Sequence, residues 1–167
     1  MKEGQLEQVD GRWRVRFTRR LAHPPEKVWR AVTEPEHLAA WFPTTIEGDR
    51  AEGAKLRFNF RDGEAPGFDG ELLTYRPPEL LEFTWGPDRL RLELRPHDDG
   101  TELILLDTLE ELGKAARDAA GWHVCLDRLA ARLDGTGAGT EWTEVHDGYV
   151  ARFGPEAATI GPPEGKG

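Results

Sequence analysis

One carboxylate lies inside an apolar stretch of the chain, and its position is the first that suggests chemistry. Asp107 ends the run TELILLD, and the two-residue period of a strand places its side chain on the same face as Leu103 and Leu105. A buried carboxylate must be paired, hydrogen-bonded or protonated, so it can serve as a polar anchor for a ligand. The other face carries Ile104 and Leu106, so the pattern also allows Asp107 to lie at the rim, in contact with solvent.

A histidine in the following helical segment is the natural partner for this carboxylate. His123 comes directly after Trp122, and a helix packed on the strand could bring its imidazole near Asp107 as an acid/base pair. A histidine at the edge of the inner face of a helix can equally serve packing alone. We therefore predict no catalytic residue and keep enzymatic activity as an alternative.

Other catalytic and metal-binding chemistry finds no support in the sequence. The histidines are scattered without ligand spacing, so neither a metal site nor a cofactor is predicted. The chain contains no serine, and Cys125 has no evident base partner, which argues against a nucleophilic hydrolase. The glycine-rich run GTGAG at 135–139 follows a helix and lacks a lysine, so it is interpreted as a linker rather than a phosphate loop.

Composition limits the partners and the compartment. The chain has 167 residues, enough for one domain, and its net charge of -9 disfavours nucleic acid and anionic membranes, because both are polyanions. Its single cysteine cannot form an internal disulfide. The N-terminus lacks the apolar run of a secretory signal, and no apolar run approaches the length of a membrane span. We therefore expect a cytoplasmic protein that does not insert into membranes.

The element that must position these groups is a long amphipathic helix at 114–133. Its apolar residues recur at steps of four and three and so share one face: Ala115, Ala119, Trp122, Leu126, Leu129 and Leu133. Before it, alternating patterns predict strands at 11–21, 55–61, 69–76, 80–85, 89–95 and 101–109, separated by Gly and Pro turns. Prolines at 25 and 35 favour two short helices after the first strand, the second covering 34–42.

The end of the chain divides into three parts. Residues 135–141 form the glycine-rich linker, and 142–153 places Trp142, Tyr149 and Phe153 at helical spacing. We expect this short helix to pack, either on its own domain or across a homodimer contact. Residues 154–167 lack apolar periodicity and are interpreted as a mobile tail.

Three segments carry a family resemblance. PPEKVWRAVTEPEHLAAWF (24–42), GTELILLDTL (100–109) and GWHVCLDRLAARL (121–133) resemble the START-like (SRPBCC) helix-grip superfamily, and within it the branch related to the C-terminal domain of the Hsp90 ATPase activator Aha1. The resemblance implies an α+β fold for residues 1–134, in which a curved antiparallel sheet of about six or seven strands wraps around a long C-terminal helix. It also implies a ligand cavity between that helix and the sheet.

The predicted ligand-binding residues follow from this implied cavity and from the inward-facing positions of strands and helix. They are Trp41, Phe42, Phe58, Phe60, Phe68, Phe83, Trp85, Leu92, Leu105, Asp107, Trp122, His123 and Leu126. Aromatic side chains that pack solidly in a core would give the same pattern, so the sequence leaves cavity and core as alternatives.

Three functions remain open. The preferred one is the binding of a small hydrophobic molecule, such as a lipid, in the implied cavity. The second is an Aha1-like co-chaperone or stress-response role through protein contact with a chaperone. The third is an enzyme resembling the polyketide cyclases or dehydratases of the superfamily.

Overall fold

A seven-stranded antiparallel sheet forms one layer of the protein. The computed structural model describes residues 3–63, 65–137 and 139–161. The strands are β1 (Gln5–Val9), β2 (Arg12–Leu21), β3 (Lys55–Phe58), β4 (Phe68–Arg76), β5 (Leu80–Trp85), β6 (Asp88–His97) and β7 (Gly100–Thr108). Their order in the sheet is β1-β2-β7-β6-β5-β4-β3. The six predicted strands are confirmed, and β1 is an additional edge strand that the sequence analysis missed.

The register of the central strands aligns apolar side chains in rows on the inner face. Phe17 of β2 and Leu92 of β6 pair with Leu105 of β7 from either side. Asp107, two residues further along β7, pairs in the same way with Val15 of β2 and Leu90 of β6. The period of the strand therefore places this carboxylate on the inner face.

Two short helices follow β2, and each begins with a proline in its first turn, where a missing amide costs nothing. They are α1 (Pro25–Thr33) and α2 (Pro35–Leu38). The second helix is shorter than the predicted 34–42, although Trp41 and Phe42 beyond it are buried as expected. The Trp41 indole Nε1 donates to the Ala31 carbonyl at 2.8 Å, which fixes this segment to α1.

The long helix α3 (Ala115–Asp134) follows a 3-10 turn at Leu112–Lys114 and covers the inner face of the sheet. All six residues of the predicted apolar face are buried. The helix ends at Gly135, which adopts a left-handed conformation with φ of 73° that suits a glycine. The sequence period therefore predicted both the extent and the orientation of this element.

A fourth helix, α4 (Trp142–Phe153), packs against α3 and confirms the predicted packing of this segment within the same chain. Residues 154–161 correct the prediction of a mobile tail. They include a 3-10 turn at Pro155–Ala158 whose Ala157 is buried, and the Ile160 amide donates to the Gly113 carbonyl at 3.1 Å. The remaining part of the predicted tail, 162–167, lies outside the described residues.

Within the described ranges, no helix has the length and apolar character needed to cross a membrane.

Candidate ligand-binding groove

The interior between helix and sheet is filled by side chains. Most of the predicted site residues are buried there: Trp41, Phe42, Phe58, Phe83, Leu92, Leu105 and Leu126. A small pocket beside Phe83, lined in part by Val32 and Leu72, has a volume of about 10 Å³, no more than a single water molecule requires. These residues therefore form a packed core, which is one of the two alternatives that the sequence left open. None of them lines the larger groove described next.

The space suited to a ligand lies at the edge of this core. A groove of about 530 Å³ opens between the first half of α3, the start of α4 and the end of β5. Three of the predicted site residues line it, namely Phe60, Trp85 and Trp122. Trp142 lines it from α4. This volume falls in the range typical of small-molecule sites.

Aromatic rings connect the groove to the core without interruption. The ring centroids of Trp85 and Trp122 are 5.6 Å apart in an edge-on arrangement, and Phe42 lies 5.6 Å from Trp122. Phe68, another predicted site residue, lies between Phe60 and Trp85 at 6.1 and 5.0 Å. Because each ring is held by its neighbours, the floor of the groove is a preformed apolar surface.

A glycine in the middle of α3 leaves the groove open. Gly121 lines the groove, and a β-carbon built on it would meet no atom within 4 Å. Glycine in a helix interior costs about 1 kcal/mol relative to alanine. Here it leaves space beside Trp122 that any larger side chain would occupy.

Behind the groove lies a cluster of three carboxyl groups. Oxygens of Asp88, Asp107 and Asp118 lie within 4.8 Å of one another. The Trp122 indole Nε1 donates to Asp107 Oδ2 at 3.2 Å, so the residue that lines the groove also holds the buried carboxyl group. Asp107 is fully buried, and its placement at the rim, the alternative that the sequence left open, is therefore wrong.

Two cations reach this cluster, and neither reaches Asp107. Lys114 Nζ lies 3.1 Å from Asp88 Oδ1, which also accepts the Glu110 amide at 2.8 Å. Arg117 Nε lies 3.0 Å from Asp118 Oδ1. Among the described residues the three carboxylates therefore have two positive partners, and these engage the two outer members of the cluster.

The electrostatics of the cluster follow from this arrangement. Burial, with the nearby charges of Asp118 and Asp88, raises the pKa of Asp107 well above its ordinary value. Burial also raises the pKa of Asp118, although Arg117 opposes the shift. Oxygens of Asp107 and Asp118 lie within 4.8 Å of each other, and Asp107 Oδ1 is buried with no hydrogen-bond partner among the described residues. Two buried carboxyl groups this close disfavour each other's charged form. In the folded protein this pair therefore holds a proton at pH values where an exposed aspartate is ionised.

The cluster has the oxygen ligands that a divalent cation would require, but two of its members already bind side-chain cations. Added to the shared proton, these contacts balance the three charges. We assign no metal to it.

His123 does not belong to this cluster in the way the sequence suggested. Its Nδ1 lies 2.8 Å from the Tyr149 hydroxyl, and its Nε2 lies 3.6 Å from Asp127 Oδ2. The hydrogen-bond partner found for Asp107 on α3 is Trp122, and the carboxyl group of Asp118 lies nearby. The proposed acid/base pair of His123 and Asp107 is therefore replaced by two separate polar clusters.

A second groove, of about 760 Å³, lies between α1 and residues 45–50. Its arginines are held by backbone carbonyls: Arg50 donates to Thr33 at 2.9 Å, and Arg61 donates to Phe42 at 3.0 Å. Burial lowers the pKa of both guanidinium groups. The Arg50 contact fastens residues 45–50 to α1, the Arg61 contact fixes the segment after α2, and we assign both to the fold.

The sequence analysis missed four residues that define the groove, and one of them had a usable signal. Asp118 precedes Trp122 by four residues, so both lie on one stripe of α3. Arg117 is not among the residues of the predicted apolar face of α3, and Trp142 was expected only to pack. Gly121 gave no signal, because an open space next to a glycine depends on distant elements.

Comparison with known proteins gives a family and a fold. A family model described as Activator of Hsp90 ATPase homolog 1-like protein matches residues 22–134, which run from the end of β2 to the end of α3. The match includes all of the groove except its α4 side. No curated protein matches the chain.

Several solved structures share the fold at low sequence identity. EF2215, a conserved protein of unknown function from Enterococcus faecalis, is 19% identical with a TM-score of 0.77, and the match covers 90% of each chain. CalU16 from Micromonospora echinospora is 23% identical with a TM-score of 0.72, over 94% of this chain and 96% of CalU16. DynU16, a protein in the dynemicin biosynthetic locus, is 28% identical with a TM-score of 0.65, over 76% of this chain and 49% of DynU16. The predicted α+β helix-grip fold is confirmed.

Proposed function

The chain belongs to the Activator of Hsp90 ATPase homolog 1-like family, and on that premise we propose that it binds a small hydrophobic molecule in the groove beside α3. The single observation that carries the proposal is a groove of about 530 Å³ with a fixed aromatic floor at Trp85 and Trp122. A planar apolar ligand would gain both area burial and ring contacts there. The site differs from the enclosed cavity implied by the sequence, because the core side chains occupy that space.

The biosynthetic locus to which one relative belongs fits this proposal. DynU16, which is 28% identical, belongs to the dynemicin biosynthetic locus, so that protein stands in a small-molecule context. We transfer to this chain only the class of partner, a small molecule. The chaperone-contact alternative rests on the family description, and no feature of the described surface favours it over the groove.

The experiment uses an uncharged fluorescent probe and a variant that fills the groove. N-phenyl-1-naphthylamine should bind the native protein with about one-to-one stoichiometry and raise its melting temperature, because a ligand that binds only the folded state stabilises it. Gly121→Leu should weaken binding at least about tenfold, because the new side chain occupies the space that a β-carbon finds empty. Its stability should not fall, since leucine is the better helix former by about 1 kcal/mol.

Gly148→Leu provides the matched control. Gly148 is also a glycine inside a helix with open space around its β-carbon position, but it lies on the exposed side of α4 away from the groove. The control should bind the probe as the native protein does. Equal binding by Gly121→Leu and the native protein would contradict the groove assignment, and a lack of binding by a panel of apolar probes would contradict the function itself.

A further inference from the structure

The charge of the aspartate cluster has a consequence for the kind of ligand that the groove accepts. Of the three carboxyl groups, Asp118 is the one that reaches the groove, where its side chain is 14% exposed. Asp88 and Asp107 lie behind it, 4% and 0% exposed. A ligand in the groove therefore meets the cluster through Asp118.

The cluster is one positive charge short of balance. With all three aspartates ionised, Lys114 and Arg117 supply two positive charges against three negative ones. An unbalanced charge in a buried site is costly. Oxygens of Asp107 and Asp118 lie within 4.8 Å of each other, and Asp107 Oδ1 has no hydrogen-bond partner among the described residues. Because burial raises the pKa of both groups, a proton held by this pair supplies the missing charge.

A cationic group on a ligand can take the place of this proton. An ammonium group offers three donors to carboxylate oxygens, and hydrogen bonds between charged groups are about twice as strong as neutral ones. The rings of Trp85 and Trp122 beside Asp118 add surfaces that attract cations. The other charged side chains at the groove besides Arg117, namely Arg128 and Glu141, have opposite signs and offset each other.

From this geometry we infer that the groove selects an aromatic amine, whose protonated nitrogen pairs with Asp118 and displaces the proton shared with Asp107. The inference rests on the proposed function and specifies its ligand class. It assigns Asp118 as the contact for the ligand and Asp107 as the residue that sets the charge behind it. Asp107 acts through Asp118, because it is fully buried.

The test compares two compounds that share an indole ring and differ in charge. Tryptamine carries an ammonium group at neutral pH, and tryptophol carries a neutral hydroxyl in its place. Isothermal titration calorimetry should give tryptamine an affinity about tenfold higher, the effect of one favourable charged hydrogen bond. Repeating the titration in buffers of different ionisation enthalpy should show that tryptamine binding releases a proton and that tryptophol binding does not.

Two isosteric variants test the assigned roles. Asp118→Asn and Asp107→Asn should each bring the ratio of tryptamine affinity to tryptophol affinity, measured in the same variant, to about one and abolish proton release. A purely structural role for Asp107 would not alter proton release. Because Asp107→Asn keeps an acceptor for Trp122, it provides the same readout if Asp118→Asn fails to fold.

The outcomes separate this inference from the proposed function. Equal affinities for the two compounds, tryptamine binding without proton release, or loss of the preference in Glu141→Gln rather than in Asp118→Asn would each overturn the inference. If Gly121→Leu still blocked tryptophol in those cases, the hydrophobic groove would stand without its amine selectivity. Failure of both compounds to bind the native protein would reject both proposals.

Discussion

Two neighbouring residues of α3 lead to two buried polar clusters of different character. Trp122 donates to Asp107 in the aspartate cluster behind the groove. His123, one residue later and so about 100° around the helix, contacts the Tyr149 hydroxyl on α4 at 2.8 Å. One helix therefore separates a cluster of three carboxyl groups from a polar network that joins several elements.

The His123 network contains a matched ion pair. Arg19 Nη1 on β2 lies 2.9 Å from Asp127 Oδ1, and the Thr140 hydroxyl donates to Asp127 Oδ2. The Tyr149 hydroxyl accepts the Gly4 amide at 2.7 Å, so its own proton is available to His123 Nδ1. The other ring nitrogen of His123, Nε2, faces Asp127.

The contrast teaches how to separate a structural polar cluster from a candidate functional one. The His123 network joins β2, α3, α4 and the N-terminal segment, and Asp127 is matched by Arg19. It explains why α4 packs where it does. The aspartate cluster lacks one positive charge and borders a groove, which is the combination expected of a site that receives a ligand.

The largest expected effect comes from the residue that joins the groove to the acidic cluster. Trp122→Ala should destabilise the protein by about 3–5 kcal/mol, the range for truncating a large buried aromatic residue. It also removes the donor to Asp107. Chemical denaturation measures the change, and Trp142→Ala, which truncates the partly exposed opposite wall, should cost clearly less. A loss below about 1 kcal/mol for Trp122→Ala would mean that Trp122 is not a core residue.

A smaller loss of stability is expected from a substitution in the His123 network. Tyr149→Phe removes the hydroxyl that accepts the Gly4 amide and contacts His123, and it should cost about 1–3 kcal/mol, because the amide loses its acceptor in a buried site. Binding of the apolar probe in the groove should not change. Tyr75→Phe is the control, since no hydrogen-bond partner for the Tyr75 hydroxyl is found in the described ranges. If probe binding fell together with stability, the two clusters would not be independent.

The smallest expected effect is a pH-dependent change in folding stability, which comes from the charge of Asp107. Its raised pKa means that the folded state binds a proton more tightly than the unfolded state, where an aspartate has a pKa of about 3.9. Stability from this group is therefore fully present below that value and is lost as the pH rises through the raised pKa. Asp107→Asn lacks this loss, so we expect it to gain stability over the native protein as the pH rises.

Thermal or urea unfolding at several pH values measures that gain. Asp118→Asn should also gain stability relative to the native protein as the pH rises. The gain should be smaller, because Arg117 favours the charged form of Asp118. A difference between Asp107→Asn and the native protein that is the same in acid and at neutral pH would contradict the shared proton.

The secondary structure could be predicted where its period was long and regular. The six predicted strands and α3 follow from alternation and from steps of three and four, which each segment carries by itself. Edge strand β1 was missed because QLEQV has little apolar alternation, and its pairing with β2 depends on the neighbouring strand. Residues 155–158 were predicted as tail because a short 3-10 turn has no period to detect.

The candidate site could be predicted only in part. The sequence placed Asp107 on an apolar strand face and Trp122 on the inner face of α3, and the two are joined by a hydrogen bond. It did not associate Asp88, which follows a hairpin turn, or Asp118 with them. These three aspartates are far apart in the chain, and only the packing of α3 on the β6–β7 hairpin brings them within reach of one another.

By itself the sequence determined which residues face inward, because a side chain's face follows from the local period of its own strand or helix. Whether Phe58 and Phe83 enclose a cavity or contact each other was decided by the tertiary structure, which places their rings 5.6 Å apart. The reason is that filling depends on the distance between layers and on the volumes of side chains from several elements, and no single segment carries that information. The same holds for the groove, whose walls come from α3, α4 and β5 and exist only when these elements are packed together.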